Sequence, residues 1–236
     1  MLVSSHNGVY LSTRDGDSRL IYSARAYDTL QLPSGDMFVS ERYRNRVVRL
    51  NAEGQTLYEL EAQGPVDCEL AADGTLVVVQ NGSGEVVGMD AESGEVRWRL
   101  GGFSNHYDVS LTPGGEMLVA DSGNGRVLRY DAERTLVAEY GGLGFPNTVE
   151  ALSNGNTLVT TYHDKGILEL DRAGNVVNEF EIGGTVFRAQ RLLDGRTLVF
   201  EGERGDGQSL LHVFAADGTP LGVRSAPRGT DFELAR

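Results

Sequence analysis

Cysteine is almost missing from this chain of 236 residues. Cys68 stands alone, so no intrachain disulfide can form. It lies in an apolar run (Val66 to Leu70) and reads as a small core residue rather than a nucleophile. Lysine is equally scarce, with Lys165 the single example, and 21 basic residues face 34 acidic ones for a net charge of -13. An acidic surface repels phosphate backbones and anionic lipid, so neither a nucleic-acid nor a membrane partner is expected. Its plain consequence is solubility; its sharper one is an attraction for cations. No apolar stretch approaches the ~18 residues of a membrane span. The opening residues, MLVSSHNGVY, lack the charged and apolar regions of a signal peptide and read as a strand. The chain is then either cytoplasmic or exported with its leader removed, and the sequence leaves both open. There is no P-loop, no GxSxG and no cysteine-based metal motif. Proline is sparse too, 6 residues against 31 glycines. Glycine at about twice its usual ~7% share implies many tight turns between short elements, and a hydrophobic fraction of 40% is enough for a packed core.

What is present is a repeat. The stretch GGEMLVADSGNGRVLRYD (Gly114 to Asp131) places two apolar runs around a polar Gly/Asn loop, which is a hairpin pattern. Aligning the chain on the turn glycine gives Gly35, Gly74, Gly115, Gly155 and Gly195, with spacings of 39, 41, 40 and 40 residues. Each unit has a short run before this glycine (DTLQL, VDCEL, YDVSL, NTVEA, FRAQR). After it come an apolar run, a second ending in VVRLN, VVGMD, VLRYD, ILELD or LHVFA, and a third such as GQTLYEL. Four short strands per ~40 residues is the period of a propeller blade. A helical solenoid is excluded because glycine interrupts nearly every window of helical length; the longest stretch free of Gly and Pro, Asp36 to Glu53, matches strands elsewhere. The C-terminal TDFELAR matches a first strand and the N-terminal MLVSS a second. The reading is an all-β, six-bladed β-propeller of four-stranded blades over residues 1–236, one domain, closed by a blade that both termini share.

The unit DVSLTPGGEMLVADSGNGRVLRYD closely resembles an NHL repeat, and GPVDCELAADGTLVVVQNGSGEVVGMD and NTVEALSNGNTLVTTYHDKGILELD resemble it more loosely. Six-bladed propellers of the NHL, TolB-like and SMP-30/gluconolactonase groups share this appearance. The resemblance implies a fold more firmly than an activity, since those groups include protein- and RNA-binding scaffolds, metal-dependent lactonases and lyases.

In such a fold, the loops leading into first strands and those joining second to third strands converge on one face. The repeat register puts Asp28, Asp67, Asp108, Asn147, Arg188 and Asp231 nearest the axis at the openings of the first strands, with Asn105 and His106 just before Asp108. Several carboxylates facing one channel repel each other unless a cation intervenes, and oxygen ligands suit Ca²⁺ or a similar divalent ion. The likeness to SMP-30 enzymes implies a metal held by Asp67, Asp108, Asn147 and Asp231. Two features depart from that pattern: no Glu stands at an opening position, and Arg188 intrudes. Asp28, Asn105, Arg188 and Tyr162 are the expected ligand contacts. His6, His106 and His163 fall on the same face. His106 and His163, on neighbouring blades, are the candidate bases for lactone opening or β-elimination. ERYRNR (Glu41 to Arg46), the one basic cluster, reads as a salt-bridged surface loop or as a grip for an anionic group. The leading expectation is a monomeric recognition module binding a protein or small-molecule ligand at the funnel face. The alternative is a divalent-metal-dependent lactonase, hydrolase or lyase.

Overall fold

Turn glycines and apolar runs alternate along the chain, and the backbone follows them strand by strand. The structure, a computed structural model, describes residues 2–5, 7–12, 18–163, 166–202, 209–226 and 231–233. His6 lies outside them, as does the side chain of Asp231. In chain order the strands are β1 (Leu2–Ser5), β2 (Gly8–Ser12), β3 (Ser18–Tyr22), β4 (Asp28–Gln31), β5 (Met37–Glu41), β6 (Arg46–Leu50), β7 (Thr56–Glu61) and β8 (Pro65–Leu70). They continue as β9 (Thr75–Gln80), β10 (Glu85–Asp90), β11 (Val96–Gly101), β12 (Asp108–Leu111), β13 (Met117–Asp121), β14 (Arg126–Tyr130), β15 (Leu136–Gly141) and β16 (Pro146–Ala151). The last are β17 (Thr157–Thr161), β18 (Gly166–Leu170), β19 (Val176–Glu181), β20 (Val186–Arg191), β21 (Thr197–Glu201), β22 (Ser209–Phe214), β23 (Pro220–Ala226) and β24 (Asp231–Glu233). Among the described residues no helix is long and apolar enough to cross a membrane.

The chain divides into two compact units. The first comprises Met1–Gly102 with Pro227–Arg236. It holds the four-stranded sheets β24-β1-β2-β3, β4-β5-β6-β7 and β8-β9-β10-β11. In the first of these, β24 runs antiparallel to β1, with Asp231 opposite Ser4 and Glu233 opposite Leu2. The second unit, Phe103–Ala226, holds the sheets β12-β13-β14-β15, β16-β17-β18-β19 and β20-β21-β22-β23. Every sheet is antiparallel and four-stranded, the make-up of propeller blades. The hairpin at Gly114 to Asp131 is β13 and β14, and the stretch Asp36 to Glu53 is β5 and β6 around the three-residue 3₁₀ turn Arg42–Arg44.

Second strands are apolar on both faces because they are covered on both. All six residues of β9, and all five of β5, β13 and β17, are buried. Between the sheets starting at β4 and β8, Leu30, Phe38 and Val47 pack with Cys68, Leu76 and Val78. Leu118, Ala120 and Val127 likewise pack with Val149, Val159 and Leu170 in the second unit. Fourth strands alternate between exposed and half-buried, as in the pattern of β11, so each blade is buried at its inner strands and exposed at its rim, where Leu57, Val96, Leu136 and Val176 face solvent.

Candidate functional site

Strand pairing tests the alignment of the opening positions directly. Asp28 lies opposite Ser40, Asp67 opposite Val79, Asp108 opposite Ala120 and Arg188 opposite Phe200. These are equivalent places in their blades, as the repeat register requires. Asn147 is the exception. Thr148, not Asn147, faces Thr160, and the register shifts between Pro146 and Thr148. Asn147 is therefore the extra residue of a β-bulge, the place that Val66 and Phe187 hold in their blades, and the spacing to the turn glycine already points to Thr148. The Thr148 hydroxyl lies 2.9 Å from that of Thr160.

The opening carboxylates hold neighbouring blades together. First strands have one edge without a ladder partner, and their inward N–H groups need acceptors. The Cys68 N–H donates to Oδ2 of Asp28 at 3.3 Å, and the Val149 N–H donates to Oδ2 of Asp108 at 2.7 Å. Arg188 Nη1 stands 3.6 Å from Oδ1 of Asp108. Asn147 Nδ2 donates to the Phe187 carbonyl at 2.7 Å, and the Arg191 N–H donates to Glu150 at 2.7 Å. Asp28, Asp67 and Asp108 are all buried. Burial, with the Asp28 and Asp67 carboxylates beside it, pushes the Cys68 thiol well up, which keeps it protonated and inert. Among the described residues no three His, Cys, Asp or Glu side chains gather as a metal-holding group.

The two candidate bases sit in opposite surroundings. His106 is fully enclosed, at 0% exposure, with its ring 5.2 Å from that of Phe103. His163 is exposed and belongs to an aromatic patch. Its ring lies 5.3 Å from Phe145 and 5.6 Å from Tyr162; Phe145 also meets Tyr162 at 6.2 Å and Tyr107 at 6.0 Å. Three loops supply these rings, those before β12 and β16 and the one after β17, so the first-strand openings and second-to-third loops of this unit do share a face. Backbone bonds lock the patch. The Tyr162 N–H donates to the Phe145 carbonyl and the His163 N–H to the Gly144 carbonyl, both at 3.0 Å. Phe145 has φ +61°, a left-handed conformation that costs a bulky residue ~1–3 kcal/mol and persists only where its surroundings impose it. Tyr162 is 45% exposed, and Asn105 is exposed in the loop before β12.

Second strands end on buried polar residues that brace these loops. Asp121 accepts the Ser104 N–H at 2.8 Å, Asn124 Nδ2 at 2.9 Å and Arg126 Nε at 2.8 Å. Glu41 accepts Arg46 Nε at 2.6 Å and the Tyr22 hydroxyl at 2.7 Å. Burial and the hydrogen bond to Glu41 push the Tyr22 phenol up to about 12. Tyr107 and Phe145 escaped the motif search; the recurring Tyr-Asp at Tyr27-Asp28 and Tyr107-Asp108 is the signal that marks the first of them.

No curated protein sequence matches the chain. A protein of unknown function from Bacteroides caccae shares 17% identity with it at a TM-score of 0.75, over 95% of this chain and 92% of that one. A catalytically inactive virginiamycin B lyase from Staphylococcus aureus, solved with quinupristin, shares 11% identity at a TM-score of 0.72, over 94% and 78%. Hydrazine synthase from Kuenenia stuttgartiensis shares 16% at 0.70, over 85% and 65%. Such identities show the propeller fold alone. The family that emerges is not specifically the NHL or SMP-30 group that the repeat resembles. The family model described as outer membrane protein assembly factor BamB matches residues 43–199, well over half of the chain, and the chain belongs to that β-propeller family.

Proposed function

We propose that the protein is a propeller recognition module that engages a protein segment or small-molecule ligand through its loop face. The six four-stranded sheets act as six blades, with the sheet that both termini build completing the set. The observation that carries the reading is the preorganised patch of Tyr107, Phe145, Tyr162 and His163. Rigid aromatic rings offer contact area at low conformational cost, and the Phe145 backbone is held at φ +61°, the kind of strain that clusters at ligand sites. Membership of a family described as an assembly factor agrees with a binding role. So does the engagement of Asp28 and Asp108 by backbone N–H groups of the next blade.

Peptides selected for binding from a displayed library test the proposal. Selected sequences are expected to lose about tenfold in affinity or more on Tyr162→Ala, the scale of an interface anchor. Affinity for the Tyr162→Ala and Phe145→Ala variants equal to that for the parent sinks it. The second reading, a divalent-metal-dependent hydrolase or lyase, draws on the likeness to virginiamycin B lyase structures and on the exposed His163. It requires turnover of lactones, esters or quinupristin that Ca²⁺, Mg²⁺ or Mn²⁺ stimulates and His163→Ala abolishes. That outcome would replace the recognition reading.

A further inference from the structure

The ERYRNR loop splits into two chemically different halves. Arg44 and Arg46 are directed to carboxylates: Arg46 reaches Glu41 at 2.6 Å and Glu59 at 2.6 Å, and Arg44 reaches Glu41 at 3.5 Å. Arg42 turns the other way, to tyrosine. Its guanidinium carbon lies 5.1 Å from the Tyr27 ring centroid and 5.9 Å from that of Tyr43, and its Nη1 donates to the Tyr27 hydroxyl at 3.2 Å. Arg25, brought in from the segment between β3 and β4, covers the opposite partner at 4.2 Å from the Tyr43 centroid. The two rings meet at 5.8 Å and their hydroxyls at 3.3 Å. Two guanidiniums and two phenols thus converge on a surface where Tyr43 is 59% exposed.

We propose that Arg25, Arg42, Tyr43 and Tyr27 form a binding site for a phosphoryl dianion. The Arg25 guanidinium, laid on the Tyr43 ring, is held by its face, which leaves in-plane N–H donors for an oxyanion, and Arg42 adds its positive charge beside it. Arg25 is exposed and has no ion-pair partner among the described residues. Two positive charges match a phosphate monoester, which carries close to two negative charges and three acceptor oxygens near neutral pH. The Tyr27 hydroxyl accepts from Arg42 and meets the Tyr43 hydroxyl at 3.3 Å, so when Tyr27 donates in that pair the Tyr43 hydroxyl is left to donate outward. The Tyr43 phenol is held below its usual range by the bond from Tyr27 and by Arg25 and Arg42, which makes it a stronger donor. The net charge of -13 does not prevent this, because exposed charges beyond the ~8 Å Debye length are screened at physiological salt. The site is separate from the aromatic patch, and neither depends on the other.

Calorimetric titration of the full chain with phenyl phosphate, inorganic phosphate and benzoate tests it. Both phosphates are expected to bind saturably at about millimolar affinity, more weakly at high salt, and more weakly as pH falls through the second phosphate ionisation near ~6. Arg25→Gln and Tyr43→Leu are each expected to cost about tenfold, whereas Arg196→Gln, whose side chain pairs with Asp194, leaves affinity unchanged. Should Tyr43→Leu fail to fold, the exposed Arg25→Gln substitution decides the matter. Absence of saturation at about ten times the expected constant overturns the proposal. So does undiminished binding to Arg25→Gln, or benzoate binding as tightly as phenyl phosphate.

Discussion

Replacing Asp108 with alanine separates a structural carboxylate from one kept for chemistry. In the folded protein Oδ2 accepts the buried Val149 N–H at 2.7 Å and Oδ1 faces Arg188 at 3.6 Å. Alanine removes both acceptors. A hydrogen bond to a charged group contributes ~1.5–3 kcal/mol, and stranding the donor adds its desolvation cost. Arg188, only 21% exposed, also loses a carboxylate neighbour, so the sum is about 3 kcal/mol. For a chain of this size each kcal/mol moves the melting temperature by ~2–4 °C, so Asp108→Ala should melt ~6–12 °C lower. Asp108→Asn keeps a carbonyl acceptor for Val149 and gives up only the charge, for about 1 kcal/mol. Denaturant midpoints and thermal scans of the three proteins measure this order. Asp28→Ala, which breaks a longer 3.3 Å bond to the Cys68 N–H, should fall between the parent and Asp108→Ala. Asp108→Ala within ~0.5 kcal/mol of the parent, the range of an ordinary surface substitution, would refute the reasoning. The carboxylate would then not be committed to the blade contact.

Gly88 pairs with Trp98 across β10 and β11, and a Cβ there would run into the indole. Gly88→Ala should cost ~1–3 kcal/mol by overpacking and shift the emission of Trp98, the sole tryptophan; an unchanged spectrum and midpoint contradicts the packing. Glu169 is pushed up by burial, but the bonds from Asn156 at 2.7 Å, Arg191 at 2.8 Å and Asn154 outweigh it and hold its carboxyl below the usual range. A depressed folded value means stability present above the unfolded value of ~4.3 and lost as pH falls through the folded one. Glu169→Gln should therefore flatten the acid side of a melting-temperature profile, and an unaltered profile would count against the cluster. Removing residues 231–236 takes away the strand paired with β1 and exposes that edge. The shortened chain should melt at a lower temperature, and an unchanged one would show that the strand adds nothing.

Much of the fold was legible because its signals are local. Turn glycines at a spacing near 40 and apolar runs between them specify which residues are strands, and the backbone follows all four per repeat. The same register placed Asp28, Asp67, Asp108 and Arg188 at equivalent points and put the C-terminal strand against the N-terminal one. The site was less legible. Asn147 is one residue out of register: Thr148 stands as far before Gly155 as Asp108 does before Gly115, and it pairs accordingly. His106, on a loop, looked like an exposed base, yet it is enclosed against Phe103.

From the sequence alone came the strand order, the blade length and the apolar character of each second strand, since period-2 patterning and turn chemistry act over a few residues. Only the tertiary structure decided which loop residues meet. Tyr107, Phe145 and Tyr162 come from separate loops of two blades, and Arg25 reaches Tyr43 from a different sheet connection. Such contacts depend on how one blade packs on the next, a long-range arrangement of rings and charges that no spacing along the chain encodes.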